Sequence, residues 1–277
     1  MKKIIVPVDF SEHSVYAMEA AAILAKRNNA QILALHMLEL SESSFSEQAT
    51  NQPLNSIFFY KRAEQEFETF LKQDFLKDIK VIPAIKKYKV FKEVNDVAKH
   101  ENADLIIMGS HGASGLNEIF VGSNTERVVR HSETPVLVVK SKPENMKFDH
   151  VVYGCDFTDE SISSYIKVTK FFAKMDSQVH LLYVNLPDFA FKSTNEMEAR
   201  VAEFLKKTEG NLKKMKDVVF YSDYSIEKGV LNYSAKIGAD LIAVSTHGRK
   251  GIAHFFEGSI SEDIANHSVL PVMTFRI

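Results

Sequence analysis

The sequence predicts an α/β protein built as two tandem copies of one doubly wound domain. Each copy is expected to be an open five-stranded parallel sheet with helices on both faces. Three observations predict this. A long segment repeats, apolar β-rich runs alternate with helical patterns, and the runs are apolar without interruption, as strands buried on both faces are. The opening Lys3-Ile4-Ile5-Val6-Pro7-Val8-Asp9-Phe10-Ser11 returns as His150-Val151-Val152-Tyr153-Gly154-Cys155-Asp156-Phe157-Thr158. Asp104-Leu105-Ile106-Ile107 returns as Asp240-Leu241-Ile242-Ala243. From there to the end of each copy the segments align without a gap, with about 14 of 36 positions identical, too many for chance at a fixed offset. Matched pairs include His111 with His247, Gly112 with Gly248, Gly122 with Gly258, Ser123 with Ser259 and Glu126 with Glu262.

In the first copy the pattern predicts strands over 3–8, 31–38, 79–84, 104–109 and 135–140. Helices are expected over about 12–28, 57–77, 90–101 and 123–131. Strand–helix alternation gives parallel strands joined by right-handed crossovers, a Rossmann-like arrangement. The second copy repeats the order, with strands near 150–155, 178–184, 217–222, 240–245 and 271–276. Leu40 to Ser56, polar and rich in Ser and Glu, breaks the repeat and is expected to be a mobile loop. The polar, proline-containing Ser141-Lys142-Pro143-Glu144-Asn145 divides the domains, giving 1–142 and 147–277.

Composition narrows the function. The chain has 277 residues, comfortable for two cores, and a net charge of −2, so no global basic field draws in nucleic acid or anionic lipid. The one cysteine, Cys155, rules out an intrachain disulfide and a cysteine-built zinc site, and is read as a buried small hydrophobe. No apolar run approaches a membrane span, and the opening residues do not read as a signal peptide. A cytoplasmic protein without membrane or nucleic-acid partner is expected. Lys86-Lys87-Tyr88-Lys89 is read as a solvated turn.

Ligands of open α/β sheets bind beyond the carboxyl ends of the strands. Two features converge there. Asp9 follows the first strand, and the fourth strand runs into Gly109-Ser110-His111-Gly112, with Gly122-Ser123 opening the last helix. Glycines let backbone N–H groups approach a phosphate, and a helix N-terminus adds unpaired N–H groups and a positive dipole end. Plainer readings stand beside this one. Ser123 with Glu126, and Ser259 with Glu262, fit a helix capping box. The glycines could serve a tight turn, and Asp9 a turn or cap. His111 and His247 read as loop-packing residues before phosphate contacts. There is no P-loop, no GxGxxG after either first strand and no G-x-S-x-G elbow.

The pattern G-x2-G-x9-G-[S/T], with Val-Pro-Val-Asp at the start and Asp-Leu-Ile-Ile-Met-Gly-Ser-His-Gly in the fourth strand, resembles the universal stress protein family, twice over. The resemblance implies ATP or a related adenine nucleotide, bound chiefly in the first domain with little or no turnover. It implies that Asp9 bonds the nucleoside, Pro7 and Val8 line its pocket, and Met37 meets adenine through its backbone. Met108, Gly109, Ser110, Gly112, Gly122, Ser123, Asn124 and Thr125 would wrap the ribose and phosphates. Any Mg2+ would sit on the phosphates, with no metal site of the protein's own.

The second domain departs from the pattern. Ser245 replaces the first glycine and Gly154-Cys155 replace Pro7-Val8, while Asp156, Gly248, Gly258 and Ser259 remain, so a degenerate site is expected there. Arg249 and Lys250 add positive charge. No catalytic residue is assigned. A small-molecule sensor or protein-interaction scaffold with a vestigial site is the main alternative, and a weak ATPase or self-phosphorylating protein the other. The resemblance also implies pairing of the last strands, 136–139 with 272–275, as an intrachain pseudo-dimer, with further homodimerisation open and the protein partner unidentified.

Overall fold

The computed structural model describes residues 1–38, 52–87, 90–110, 122–144, 146–246 and 260–277. The chain divides into two compact units, Met1–Val128 with Ser132–Met146, and Lys147–Ile277 with Val129–His131.

The first unit contains β1 (Lys3–Val8), α1 (Glu12–Asn28), β2 (Gln31–Leu38), α2 (Gln52–Phe70), β3 (Val81–Lys87), α3 (Val90–His100), β4 (Leu105–Gly109), α4 (Ser123–His131) and β5 (Val136–Val139). Its strands run in the order β3-β2-β1-β4-β5, all parallel. The chain moves outward from β1 through β2 to β3, then crosses back and moves the other way through β4 to β5. With right-handed crossovers, that reversal puts α1 and α2 on one face and α3 and α4 on the other. Ile4, Ile5, Val6, Leu105, Ile106 and Ile107 are fully buried, as the uninterrupted apolar runs require. Helix α1 begins at Ser11, whose hydroxyl accepts the Ser14 N–H at 3.3 Å, and ends at Asn29 in the left-handed conformation. Its buried face is built largely of alanine, which lets it lie close to the sheet.

The second unit repeats the plan with β6 (His150–Gly154), α5 (Ile162–Ala173), β7 (Gln178–Asn185), α6 (Thr194–Glu209), β8 (Val218–Ser222), α7 (Ile226–Ile237), β9 (Leu241–Thr246), α8 (Ile260–His267) and β10 (Val272–Arg276). Its order, β8-β7-β6-β9-β10, is again parallel, with α5 packed on α6 and α7 on α8. The repeated Asp of the Asp-Leu-Ile run has a structural task in both copies. Asp104 Oδ2 accepts the backbone N–H groups of Lys2 (2.6 Å) and Lys3 (3.1 Å), and Asp240 Oδ2 accepts that of His150 (2.8 Å). Each carboxylate ties the start of the fourth strand to the start of the first.

Both ends of α2 and both ends of β3 differ from the sequence reading. Helix α2 starts at Gln52, inside the segment expected to be a loop, with Pro53 in its first turn where no N–H is needed. It stops at Phe70, and a 3-10 turn at Asp74–Leu76 with Asp78 at φ 66° completes the connection. Strand β3 therefore begins later and runs to Lys87, so Lys86 and Lys87 pair with Met37 and Leu38 instead of forming a turn. Its proline, Pro83, and its terminal lysines are tolerated because β3 is the edge strand of this order. The remainder of the expected loop, 39–51, lies outside the described residues. Among the described residues no helix is long and apolar enough to cross a membrane.

Candidate functional site

The candidate crevice lies beyond the carboxyl ends of β1 and β4. Ladder pairing joins Ile4 to Leu105 and Ile5 to Ile106, and β1 then continues with β2 alone as far as Val8–His36. Backbone bonds fix which way each residue of β1 faces. Lys2 O accepts from Gln31 N on the β2 side, and Lys3 O from Asp104 N on the β4 side. Pro7, in step with Lys3 and Ile5, faces β4 with no N–H to donate, and the β1–β4 ladder ends at Ile5. Val8 is buried, and its carbonyl accepts a hydrogen bond from His36 Nδ1 at 2.7 Å, which fixes the proton of that ring on Nδ1. Met37, buried on β2, extends past the end of the β1 pairing.

Asp9 is exposed at the corner, and its Oδ1 is a hub. It accepts from Ser11 N (3.1 Å), from Ser11 Oγ (2.6 Å) and from Ser14 Oγ, while Asp9 N donates to Ser14 Oγ at 3.0 Å. The turn and the ligand-facing reading of Asp9 are therefore compatible: the clamp holds the carboxylate at the mouth. The next residue, Phe10, has φ 64°, a conformation that bulky side chains rarely adopt. Its ring is held against His36 (centroids 4.6 Å apart), Phe67 (5.1 Å) and Phe70 (5.7 Å). Packing therefore maintains a strained turn, and strain of this kind gathers at functional sites. The sequence reading overlooked Phe10, although the repeated Asp-Phe was available as a signal.

The glycine-rich segment leaves and returns at one point. Gly122 N donates to Ser110 O at 2.6 Å, and Thr125 Oγ1 donates to Gly109 O at 2.9 Å. Met108, Ser110 and Thr125 are buried; Ser123 is exposed and Asn124 half-buried. Gly109 is needed for packing: a Cβ there would lie 2.7 Å from His13 Cβ and 2.8 Å from the His13 carbonyl. The expected capping box is not formed in the first domain. The cap is Gly122, whose carbonyl accepts from Glu126 N at 2.9 Å, and which has no side chain to cap the helix. The S-x-x-E pattern sits one residue too late, because Ser123 is already inside the first turn. The amides of Ser123, Asn124 and Thr125 thus open the helix, with no side chain at the cap position itself. Gly112 and His111 lie outside the described residues.

The second unit keeps the corner and changes the floor. Asp156 Oδ1 accepts from Thr158 N (3.2 Å), Thr158 Oγ1 (3.0 Å) and Ser161 Oγ. Phe157 has φ 54° and packs on Tyr183 (6.1 Å) and Phe204 (5.4 Å). Ser245 does not aim its hydroxyl outward, as a residue crowding a ligand would. It bonds Tyr153 OH at 2.8 Å and Ser164 Oγ at 2.9 Å, and those two meet at 3.1 Å, closing a triangle of hydroxyls. Burial pushes the Tyr153 phenol well above its ordinary pKa, keeping it neutral. Cys155 is buried and its thiol is pushed up to about 12 by burial, which fits an inert packing residue. His247, Gly248, Arg249, Lys250, Gly258 and Ser259 lie outside the described residues. Among the described residues no cluster of three or more His, Cys, Asp or Glu could hold a metal ion.

A fold of this order, with a glycine-bearing crevice at its switch point, defines a Rossmann-like ligand-binding class. The universal stress protein family model matches residues 1–140 and again 147–276, and the chain belongs to that family as a tandem member. Two universal stress proteins of Methanocaldococcus jannaschii are similar to it in sequence. One is 32% identical over 157 residues, covering 51% of this chain and 96% of the relative. The other is 31% identical over 153 residues, covering 52% and 84%. A universal stress protein from Archaeoglobus fulgidus shares the fold along the whole length, with TM-score 0.63, 21% identity and coverage of 99% of this chain and 96% of that one.

Proposed function

We propose that the first domain binds ATP or a related adenine nucleotide between β1 and β4 and serves as a regulatory module with little or no turnover. The observation that carries this reading is the closure of Gly122 N on Ser110 O, which brings the glycine-capped N-terminus of α4 back to the carboxyl end of β4. Amides there suit phosphate oxygens, and Gly109, Gly112 and Gly122 let backbone come close. Asp9, oriented by Ser11 and Ser14, would accept from the ribose hydroxyls. Pro7, Val8 and Met108 would line the nucleoside pocket, and the Met37 backbone, beyond the β1 ladder, would meet the base. Ser110, Ser123, Asn124 and Thr125 complete the phosphate cradle. A Mg2+ ion would travel with the phosphates, in keeping with the lack of an acidic cluster among the described residues. The commitment of Asp9 Oδ1 to three donors suits binding better than proton abstraction. We place the module in the cytoplasm, and the second domain, with Asp156 clamped but Ser245 in its floor, as the weaker binder.

The test is calorimetric titration of nucleotide-stripped protein with Mg-ATP. One site per chain is expected, lost in Gly122→Val and kept in Gly258→Val. Gly122 has φ −57° and ψ 145°, a conformation valine also adopts, so the variant should fold. A folded wild type giving no heat and no shift in melting temperature would overturn the proposal. Phosphate release above background in clean wild type, lost in Asp9→Asn, would favour a weak ATPase instead.

A further inference from the structure

The amino ends of the strands in the first unit enclose a cavity of about 450 Å³, at the opposite end of the sheet from the crevice. Its lining includes Lys2, Lys26, Asn29, Gln31, Asp78 and Lys80. We propose that this cavity is a second binding site, for a small phosphorylated molecule carrying at least two negative charges.

Charge is the first argument. Three ammonium groups against one carboxylate leave a net +2 around one concavity. None of the three side chains has an ion-pair partner among the described residues. Like charges held around a concavity repel one another, and a multivalent anion relieves that repulsion. Lysine ammonium groups serve as mobile point charges for phosphate. The volume lies within the roughly 300–1,000 Å³ of small-molecule sites.

At the carboxyl end of α1 two carbonyls are engaged. Ala25 O accepts from Asn29 N and from Ala30 N at 3.0 Å, and Leu24 O accepts from Asn28 Nδ2 at 2.8 Å.

The sister unit shows that the fold does not require these cations. Gln178 N donates to Asp149 O at 2.8 Å just as Gln31 N donates to Lys2 O at 2.9 Å, so Asp149 stands where Lys2 does. Asp176, at φ 57°, stands where Asn29, at φ 50°, ends its helix. The same corner is basic in one copy and acidic in the other.

The test uses pyrophosphate as probe on the full chain, by calorimetry and amide chemical-shift mapping. Gly122→Val provides a background in which the crevice is disabled. Saturable pyrophosphate binding should persist in that variant, with shifts at Ile79 and Lys80. It should weaken at least tenfold when Lys26→Gln and Lys80→Gln are added. Lys213→Gln with Lys216→Gln, an equal loss of charge in the second unit, should leave it unchanged. Undiminished binding in the Lys26/Lys80 variant, an equal loss in the Lys213/Lys216 control, or no saturable binding in Gly122→Val would each overturn the proposal. Mg-ATP binding in wild type reports on the crevice separately, so the two readings can fail independently.

Discussion

The two domains agree at the corner after their first strand and disagree beneath it. Asp9 and Asp156 carry the same hydroxyl clamp, and Phe10 and Phe157 the same left-handed turn, held by different aromatic neighbours. Beneath, Val6, Ala17 and Gly109 in the first unit correspond to Tyr153, Ser164 and Ser245 in the second. All three exchanges add a hydroxyl, and the three hydroxyls bond one another. The two floors thus differ at three positions whose side chains bond one another in the second unit, while the carboxylate mount is the same in both. Helix starts follow suit. Helix α1 begins at Glu12, with His13 pressed against Gly109, whereas the matching residues of the second unit, Asp159–Ser161, form a 3-10 turn before α5.

The largest expected effect comes from placing the serine of one floor in the other. Gly109→Ser should destabilise the first unit by about 1–3 kcal/mol, because its Cβ must displace the backbone of His13. The check is urea unfolding, with nucleotide affinity measured beside it. An unchanged midpoint would mean that α1 can loosen as the second unit has, and that the glycine is not a packing requirement. Ser245→Gly should cost less, about 1–2 kcal/mol, since Tyr153 and Ser164 keep their mutual bond and only the hydroxyl contributions and backbone entropy are lost. Tyr153→Phe leaves the Ser164–Ser245 bond and should cost about 0.5–1.5 kcal/mol. If the triangle acts as a unit, the double variant should fall short of the sum of the two singles. Strict additivity would break the claim that these positions act as a unit.

Much of this was readable in the sequence, for identifiable reasons. The strands declared themselves because double burial demands unbroken apolar runs, as in Ile4-Ile5-Val6 and Leu105-Ile106-Ile107. The start of α2 did not, because Gln52 and Pro53 read as loop residues. Gly109 was visible as a glycine, but its reason, the approach of His13, is a tertiary fact. The capping box was misread by one residue because Gly122 ends the incoming segment and caps the helix at once. Ser245 was read as the loss of a glycine. Its hydroxyl turns inward, which only the partners Tyr153 and Ser164 reveal. The basic cavity could not have been read at all, because Lys2, Lys26 and Lys80 are brought together only by the sheet.

The smallest effect concerns the end of the last strand of each copy, where Lys140, one residue past β5, and Arg276, the last of β10, occupy matching positions. Burial lowers the Lys140 pKa from 10.5 to about 8. The unfolded chain therefore holds this proton more tightly than the folded one. Below pH 8 the lysine is charged in both states and the burial penalty is fully present. Between pH 8 and about 10.5 the unfolded state binds more protons, so the Lys140 contribution to stability rises with pH and then levels off. Tyr153, whose pKa burial raises, acts in the opposite sense above pH 10, so the contribution is best read as a difference between two proteins. Lys140→Arg places the residue of the second domain in the first and keeps the charge throughout. Wild type should gain stability relative to Lys140→Arg as pH rises from 8 to 10, by well under the full linkage slope because the side chain is only half-buried. Parallel stability curves for the two proteins across that window would show that Lys140 stays charged there, and that the two last strands tolerate a cation equally.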